Sequence, residues 1–390
     1  MENIQAFTFF SPTRIEFGKG AVGRLADEAG SVGASRPLVV TDSGIEKSPL
    51  LEPIVEDLRK AGMKVEVFSK VEPNPRDSTC HEGAEVAKRH EADLIIAVGG
   101  GSPMDAAKAI SMLFTNPGKV HDYFGFYKVK KPGLPLITVP TTAGTGSEAT
   151  MWAVITNTTG ERNIKDAIGS PLICPSVAVV DPLLTLSLPS HLTASTGMDA
   201  LTHAIEAYTS LLANPMSDVL ALPAIALIYE HLMPAYANGD NQEAREHMML
   251  GSLLAGIAFS NSDVAAVHSL AEAIGGLHDV PHGVANSIFL PYVMQYNLIA
   301  APRRYADIAE AMGVATGDMG VTEAAQAAVT AVKQMANSLD IHKLKDTGIR
   351  PEDFDTIADV AMQNLGTPGN ARKMTRESFI HVIEETYEGA

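Results

Sequence analysis

The sequence predicts an α/β domain followed by an all-helical domain. In the first half, short β-branched apolar runs alternate with helical patterns. After about residue 190, segments rich in Ala, Leu and Met replace them without a convincing strand. The length of 390 residues also exceeds the size at which one hydrophobic core usually stops growing. We therefore expect two domains, over residues 1–187 and 188–390.

The apolar runs have the length and composition of strands that are buried on both faces of a parallel sheet. They are PLVVT (37–41), MKVEVF (63–68), DLIIAVG (93–99), LPLITV (134–139) and SVAVVD (176–181). Between the first three lie the helical patterns LLEPIVEDLRKAG and STCHEGAEVAKRH, which end in Gly or a basic residue as helix ends do. This alternation of strand and helix patterns predicts an open α/β sheet. Ahead of it, FTFFSPTRIEFGKGAV is interpreted as a two-stranded hairpin.

Composition limits the class of protein. With 46% hydrophobic and 19% charged residues, the chain is typical of a well-packed globular protein. Its net charge of −17 argues against nucleic acid and anionic membrane surfaces as partners. Cys80 and Cys174 stand in unrelated contexts, so no disulfide framework is indicated. We see neither a signal-peptide pattern nor an apolar run approaching about 18 residues, and we expect a cytoplasmic protein.

A glycine-rich segment, VGGGSPMDAAKAI, follows the strand DLIIAV and opens a helix. The run Gly99, Gly100 and Gly101 lets a ligand approach the backbone, and Ser102 begins a helix whose N–H groups are free. Such a turn binds phosphate or pyrophosphate. It is neither the GxGxxG pattern, because Met104 replaces the third glycine, nor a P-loop. Alone it is equally compatible with a tight strand-to-helix turn.

A second polar segment, PTTAGTGSEAT (140–150), follows another predicted strand. Its hydroxyl side chains, which could bond a second phosphate or a ribose, are Thr141, Thr142, Thr145 and Ser147. Two such loops at strand ends suggest a dinucleotide across the sheet edge. Asp42 follows PLVVT, where a carboxylate accepts from a ribose hydroxyl and repels a 2′-phosphate, so NAD is favoured over NADP. A solvated loop acid is the alternative for Asp42.

Four side chains in the second half could bind a metal. Asp199 and His203 lie at i and i+4, and therefore on one face of a predicted helix. His268 and His282 come from a second segment. One carboxylate and three imidazoles suit Zn²⁺ or Fe²⁺. The spacing alone is also compatible with four unrelated polar residues.

The motifs VGGGSPMDAAK, PTTAGTGSE, VDPLLTLSLP, GMDALTHAIEAY and VPHGVANSIFLP occur in this order on one chain. In this the sequence resembles the iron-containing (group III) alcohol dehydrogenases, the group of lactaldehyde reductase, 1,3-propanediol dehydrogenase and butanol dehydrogenase. The resemblance implies a dehydroquinate synthase-like fold, with an amino-terminal parallel-sheet nucleotide-binding domain and a carboxy-terminal helical metal-binding domain. It implies hydride transfer between the nicotinamide C4 of NAD(H) and a short primary alcohol or its aldehyde. Fe²⁺ is the implied metal, with Zn²⁺ possible, and a homodimer or higher homo-oligomer is the implied assembly.

Carried over position by position, the resemblance assigns roles to individual residues. The implied metal ligands are Asp199, His203, His268 and His282. The implied cofactor-binding residues are Asp42, Asn74, Gly100, Gly101, Ser102, Asp105, Thr141, Thr142, Thr145, Lys165 and Leu184. Among these, Lys165 resembles the lysine that reaches the nicotinamide ribose. Asn74 and Leu184 resemble positions near the adenosine half.

The chain departs from the family pattern after the third ligand. Many members have HAMAHPLGG there, with a second histidine near the reacting carbon, whereas this chain has HSLAEAIGG and so carries Glu272. We hypothesise that Glu272 or His278 relays a proton, which makes Glu272, His278 and His282 the candidate catalytic residues. Trp152, the only tryptophan, and Phe259 are assigned to the substrate pocket. Ordinary core packing is the alternative for Trp152.

Two relatives on the same scaffold are alternatives. A glycerol or polyol dehydrogenase generally coordinates Zn²⁺ through fewer residues, and the full set of one Asp and three His argues against it. A dehydroquinate synthase-like lyase needs a basic cluster for a phosphorylated acid. Arg and Lys are absent from residues 191–244, next to the metal-ligand motif, which argues against the lyase.

Overall fold

A computed structural model describes residues 6–160, 162–315 and 317–389. The chain forms two compact units, Ser11–Leu188 on the one hand and Pro189–Ala390 with Met1–Phe10 on the other. The amino-terminal segment therefore groups with the second unit, whereas the predicted division placed it in the first. Its described part is tied there by Phe10, whose N–H donates to Asn261 Oδ1 and whose carbonyl accepts from Asn261 Nδ2, at 2.6 and 3.1 Å.

The first unit alternates strands and helices, as predicted. Its strands are β1 (Arg14–Phe17), β2 (Pro37–Asp42), β3 (Glu66–Val71), β4 (Leu94–Gly99), β5 (Gly125–Phe126), β6 (Leu136–Pro140), β7 (Trp152–Asn157), β8 (Ile164–Gly169) and β9 (Val177–Val180). Its helices are α1 (Leu25–Ser31), α2 (Ser43–Glu46), α3 (Leu51–Lys60), α4 (Asp77–His90) and α5 (Gly101–Thr115). Short 3₁₀ turns connect several of them.

The main sheet is parallel and has the strand order β1-β9-β6-β4-β2-β3. Successive side chains of a strand point to opposite faces, so each strand supplies two cores. Ile95 and Ala97 of β4 join the cluster with residues of α4 and α5, and Ile96 and Val98 join the cluster with residues of α1 and α3. Burial on both faces explains why these strands have continuous apolar sequences.

One prediction about this unit was wrong, and one element was missed. The predicted amino-terminal hairpin is absent from the described residues, because Arg14–Phe17 forms a single strand that pairs in parallel with β9. A second, three-stranded sheet, β5-β8-β7, was not predicted. In it, Trp152–Asn157 and Ile164–Gly169 form an antiparallel pair, and their mixed polar and apolar sequences resemble loop as much as strand.

The described residues of the second unit form helices joined by turns and contain no strand, which confirms the predicted fold class. Its helices are α6 (Ser190–Thr209), α7 (Pro215–Ala237), α8 (Gln242–Phe259), α9 (Ala266–His278), α10 (His282–Asn297), α11 (Pro302–Ala311), α12 (Val321–Ser338), α13 (Phe354–Met362) and α14 (Arg376–Glu388). Helix α6 packs against α7, α8 and α10. Most of its residues are buried, polar ones included.

Helix α7 is the one helix among the described residues with the length and mean hydropathy of a membrane span, although Ser, Asp, Glu and His interrupt its apolar sequence. Length and composition alone would allow Pro215–Ala237 to cross a membrane. Within its most apolar 18-residue window, 33% of the residues are buried. Apolar helices that pack in a bundle pass the same test, and α7 packs against α6 and α8. Asn214 begins the helix by accepting from the N–H groups of Met216 and Ser217, both at 3.1 Å.

Candidate metal centre and nucleotide loops

Three helices bring the four predicted metal ligands together. Asp199 and His203 lie one turn apart on α6, His268 lies in the first turn of α9, and His282 is the first residue of α10. One ligand atom from each of the four side chains lies within 4.8 Å of the others. The i, i+4 spacing therefore does place Asp199 and His203 on one face, and the tertiary fold adds the two histidines.

The centre is compact and mostly buried. His282 Nε2 lies 3.6 Å from Asp199 Oδ1, and His203 Nδ1 lies 3.9 Å from Asp199 Oδ2. The rings of His203 and His268 have centroids 4.4 Å apart. Asp199, His203 and His268 are buried, and His282 is partly exposed. Three imidazoles around one buried carboxylate form a donor set that suits a divalent transition metal, so the residues present fit such an ion.

Asn286 belongs to this centre, and the sequence analysis missed it. It lies one helical turn after His282 on α10 and is fully buried. Its Nδ2 donates to Asp199 Oδ1 at 2.6 Å and lies 3.1 and 3.2 Å from Nε2 of His268 and His282. The i, i+4 spacing from a ligating histidine is the signal that could have identified it.

Glu206, which the sequence analysis also missed, contacts the third ligand. Its Oε2 lies 2.7 Å from His268 Nδ1, and its carboxylate accepts from the N–H groups of Ala265 and Val267. Burial raises the pKa of Glu206 to about 7, and the backbone hydrogen bonds oppose this shift. Its spacing of seven residues from Asp199 places it on the ligand face of α6.

The remaining predicted residues of this unit lie at different distances from the ligands. The ring of Phe259 stacks on that of His203, with centroids 4.4 Å apart and planes at 18°. Glu272 is buried one turn after His268, and the Asn364 side-chain amide donates to its Oε2. His278 is the last residue of α9 and is not in the four-residue ligand group. The structure thus places Phe259 against the candidate metal ligand His203, and it does not test the role of His278.

The two predicted nucleotide loops meet at adjacent strand ends. The glycine segment joins β4 to α5, and the second polar segment follows β6, the neighbour of β4 in the sheet. A Cβ on Gly100 would lie 3.2 Å from Thr142 Oγ1, and one on Gly101 would lie 2.6 Å from Thr145 Cγ2. A Cβ at Gly101 would therefore collide with Thr145, and one at Gly100 would make a tight contact with Thr142. Thr142 Oγ1 has no hydrogen-bond partner among the described residues.

A buried lysine joins these loops beneath the glycines. Lys108 Nζ donates to Ser147 Oγ, Thr150 Oγ1 and the Trp152 carbonyl at 2.8, 3.0 and 2.6 Å. Asp105 accepts from Ser147 Oγ at 2.6 Å and lies 3.9 Å from the ammonium. Burial lowers the pKa of Lys108, and the Asp105 carboxylate opposes that shift. Lys108 was not predicted, although it lies one turn after Asp105.

The other predicted cofactor-binding residues also lie in the first unit. Asp42 ends β2, and its Oδ1 caps α2 by accepting from the N–H groups of Gly44 and Ile45. Lys165 Nζ donates to Asn74 Oδ1 at 3.0 Å, and both side chains are buried. Leu184 lies in the core cluster that contains α1 and α3 residues. The structure therefore pairs Lys165 with Asn74 and gives Leu184 a packing role.

Trp152 begins β7 and is buried. Its ring meets that of Phe126 edge to face, with centroids 5.2 Å apart. A Cβ on Gly169, its partner on β8, would lie 2.6 Å from the indole. The indole Nε1 is buried and has no hydrogen-bond partner among the described residues. Core packing accounts for the ring but gives the indole N–H group no acceptor among the described residues.

The fold and these two sites define a metal-dependent oxidoreductase with a nucleotide-binding α/β unit. Comparison with known proteins supports that class directly. The family model described as iron-containing alcohol dehydrogenase matches residues 12–182, and the model of the carboxy-terminal part of the Fe-containing alcohol dehydrogenase family matches residues 193–387. The chain belongs to the iron-containing alcohol dehydrogenase family.

Individual relatives agree with that assignment. The chain is 41% identical to 1,3-propanediol dehydrogenase of Citrobacter freundii over 384 residues, which is 98% of this chain and 99% of that protein. It is 38% identical to NAD-dependent methanol dehydrogenase of Bacillus methanolicus over 377 residues, 96% and 98% of the two chains. A crystal structure of 1,3-propanediol oxidoreductase superposes with a TM-score of 0.95 at 40% identity, covering 98% of this chain and all of that one. The predicted family, fold class and enzyme class are confirmed.

Proposed function

We propose that the protein transfers hydride between the nicotinamide C4 of NAD(H) and a short primary alcohol or its aldehyde. The convergence of Asp199, His203, His268 and His282 within 4.8 Å is the observation that carries the proposal. Family membership and a methanol dehydrogenase relative whose name states NAD dependence support it. The glycerol dehydrogenase-like and dehydroquinate synthase-like alternatives have no comparable support, because the family models name alcohol dehydrogenases.

The metal ligands would be those four side chains, with Fe²⁺ or Zn²⁺ as the ion. A divalent ion there supplies Lewis acidity toward the oxygen of an alcohol or aldehyde. The chain's own contribution is to hold the donors. Asn286 donates to Asp199 while Phe259 packs on the His203 ring. These contacts exclude water from one side of the centre and fix the ring planes.

We assign the nucleotide to the first unit, Ser11–Leu188, and the metal to the helical unit that begins at Pro189. The glycine loop offers backbone N–H groups at the start of α5 for the pyrophosphate. Thr142 presents a hydroxyl without a protein partner beside that loop, and Asp42 Oδ2 is left by the helix cap to accept from a ribose hydroxyl. Lys165, which Asn74 holds, is assigned to the nicotinamide ribose.

Two further roles are part of the proposal. Glu272, which the Asn364 amide holds, or His278 relays the proton that the alcohol loses. Trp152 in the first unit and Phe259 in the second are each proposed as substrate-contacting residues, and the unpartnered indole N–H of Trp152 is a donor for a polar group on the substrate. A Glu272→Gln variant with an unchanged turnover and an unchanged pH–rate profile would remove Glu272 from this role. The same experiment on His278→Gln separates the two candidates.

The test of the proposed function is NADH oxidation with a panel of small aldehydes. The protein is stripped of metal and then reconstituted separately with Fe²⁺ and with Zn²⁺. We expect at least one reconstituted form to oxidise NADH with short aldehydes and to use NADPH poorly. Retention of the full rate by the stripped protein would disprove the metal-dependent mechanism. Equal rates with NADPH would instead disprove the role of Asp42.

Partners and location stay proposals. The substrate is a small alcohol or aldehyde, which agrees with the names of the relatives. We propose a cytoplasmic homodimer or higher homo-oligomer, as the family resemblance implies. The absence of nucleic acid and of membranes among its partners is a prediction that rests on the net charge of −17.

A further inference from the structure

Glu206 shares a helix face with two of the candidate metal ligands. On α6, Asp199, His203 and Glu206 follow one another at spacings of four and three residues, so their side chains project from one side of the helix. Glu206 is only 2% exposed. A carboxylate that deep in a protein needs hydrogen-bond donors, and here they come from the start of α9.

The carboxylate of Glu206 uses both oxygens on that helix start. Oε1 accepts from the N–H of Val267 at 2.7 Å, and Oε2 accepts from the N–H of Ala265 at 2.8 Å. Ala265 precedes the first helical residue and makes no side-chain cap of its own. Glu206 therefore caps α9 from another helix, and this cap fixes the backbone three residues and one residue before His268.

The same carboxylate also fixes the proton of the His268 ring. Its Oε2 lies 2.7 Å from His268 Nδ1, and the ionised form of Glu206 can only accept there. At the other end of the ring, His268 Nε2 lies 3.1 Å from Asn286 Nδ2, which can only donate. Both neighbours require the tautomer with hydrogen on Nδ1. The lone pair of Nε2 then faces Asp199 and His282.

We propose that Glu206 is a positioning residue of the metal centre, which orients His268 and holds it in the Nδ1–H tautomer so that Nε2 is the ligand atom. The inference rests on the proposed function, because it takes a divalent ion as the occupant. A carboxylate on the outer nitrogen of a ligating histidine also makes the imidazole a better donor. Glu206 would thus raise metal affinity without touching the ion.

The test compares two capping residues of the same unit. Glu206→Gln removes the negative charge and places an N–H₂ group toward backbone donors. Asn214→Ala removes the matched cap of α7, where Asn214 accepts from two backbone N–H groups outside the metal centre. Each variant and the wild type are stripped of metal, and Zn²⁺ affinity is measured by competition with a chromophoric chelator. Urea unfolding of the metal-free proteins reports the loss of each cap.

We expect Glu206→Gln to bind Zn²⁺ roughly 10- to 100-fold more weakly than the wild type, and Asn214→Ala to bind it with unchanged affinity. Equal affinities of Glu206→Gln and wild type would overturn the proposal, and so would an equal loss in Asn214→Ala. If the wild type binds Zn²⁺ as expected but reduces no aldehyde, the proposed function fails while this inference stands.

A second measurement does not depend on the variant folding. In metal-free wild-type protein labelled with ¹⁵N-histidine, long-range ¹⁵N–¹H spectra report the tautomer of each ring, and a His268→Gln sample assigns the signals. We expect His268 as the Nδ1–H tautomer across neutral pH. The Nε2–H tautomer, or a mixture with no preference, would overturn the proposal.

Discussion

The metal centre and the nucleotide loops are built in opposite ways. The metal centre is made of side chains that three helices bring together from residues 199 to 286. The nucleotide loops are made mostly of backbone, glycine and hydroxyl groups at the ends of the neighbouring strands β4 and β6. One site depends on tertiary packing for its existence, and the other depends on the local turn from strand to helix.

A buried carboxylate in each unit sharpens this contrast. Burial raises the pKa of Glu206 and of Glu148 to about 7. Both oxygens of Glu206 have hydrogen-bond donors, whereas Oε1 of Glu148 has none among the described residues. Burial therefore dominates the pKa of both groups, and the two carboxylates differ in their hydrogen-bond partners and not in the size of the shift.

The largest effect is expected from removing a metal ligand. His203→Ala takes one donor from the centre and also the ring on which Phe259 stacks. We expect loss of bound metal and a fall in turnover on the order of 10³-fold, because Lewis-acid assistance is worth several kcal/mol. Metal content and NADH oxidation check this. His231→Ala, on a ring that stacks with His247 outside the centre, is the control and should retain both.

The second-largest effect is expected from replacing Lys108, the buried lysine that joins the two loops. Lys108→Met leaves Asp105 buried without its nearest cation and removes three hydrogen bonds. We expect the free energy of unfolding to fall by about 3–5 kcal/mol, as measured by urea denaturation, and NADH affinity to fall with it. The control is Lys60→Met, at an exposed ion pair with Asp57. If Lys108→Met were as stable as that control, the three hydrogen bonds and the ion pair of Lys108 would not stabilise the fold.

Glu148 should make stability depend on pH. Because its pKa is about 7 when folded and near 4.5 when unfolded, the folded state binds more protons between these values, and stability falls as pH rises through that window. We expect Glu148→Gln to remove a pH-dependent loss of about 3 kcal/mol. Urea midpoints at pH 5 and pH 8 check this. A wild-type slope that Glu148→Gln leaves unchanged would show that Glu148 does not titrate there.

The smallest effect tests the contact between the loops. Gly101→Ala places a Cβ 2.6 Å from Thr145 Cγ2, so the loops must separate. We expect KM for NADH to rise about tenfold, since a misfit of this size costs about 1–3 kcal/mol. Adding Thr145→Ser removes the clashing methyl and keeps the hydroxyl, and it should recover much of the loss. Failure of the double variant to recover would place the damage elsewhere in the loop.

Much of the fold could be predicted from the sequence because strands, helices and turns leave local sequence patterns. The continuous apolar sequences of β4, β6 and β9 predicted buried parallel strands, and the glycine segment predicted the turn into α5. The hairpin β7–β8 and the parallel pairing of β1 with β9 were not predicted. Pairing between distant segments, such as β1 with β9, leaves no periodicity in either segment alone, so a sequence pattern identifies a strand without its partner. The strands β7 and β8 were missed because their sequences mix polar and apolar residues.

The same distinction between local and tertiary signals applies to the candidate site. The sequence by itself determined the donor types, the shared face of Asp199 and His203, and the two loops, because spacing along a helix and turn chemistry are local properties. Only the tertiary structure decided that His268 and His282 join that face, and that Glu206 and Asn286 hold the His268 ring from both ends. The reason is physical: a hydrogen bond between helices depends on their packing, which no single segment encodes.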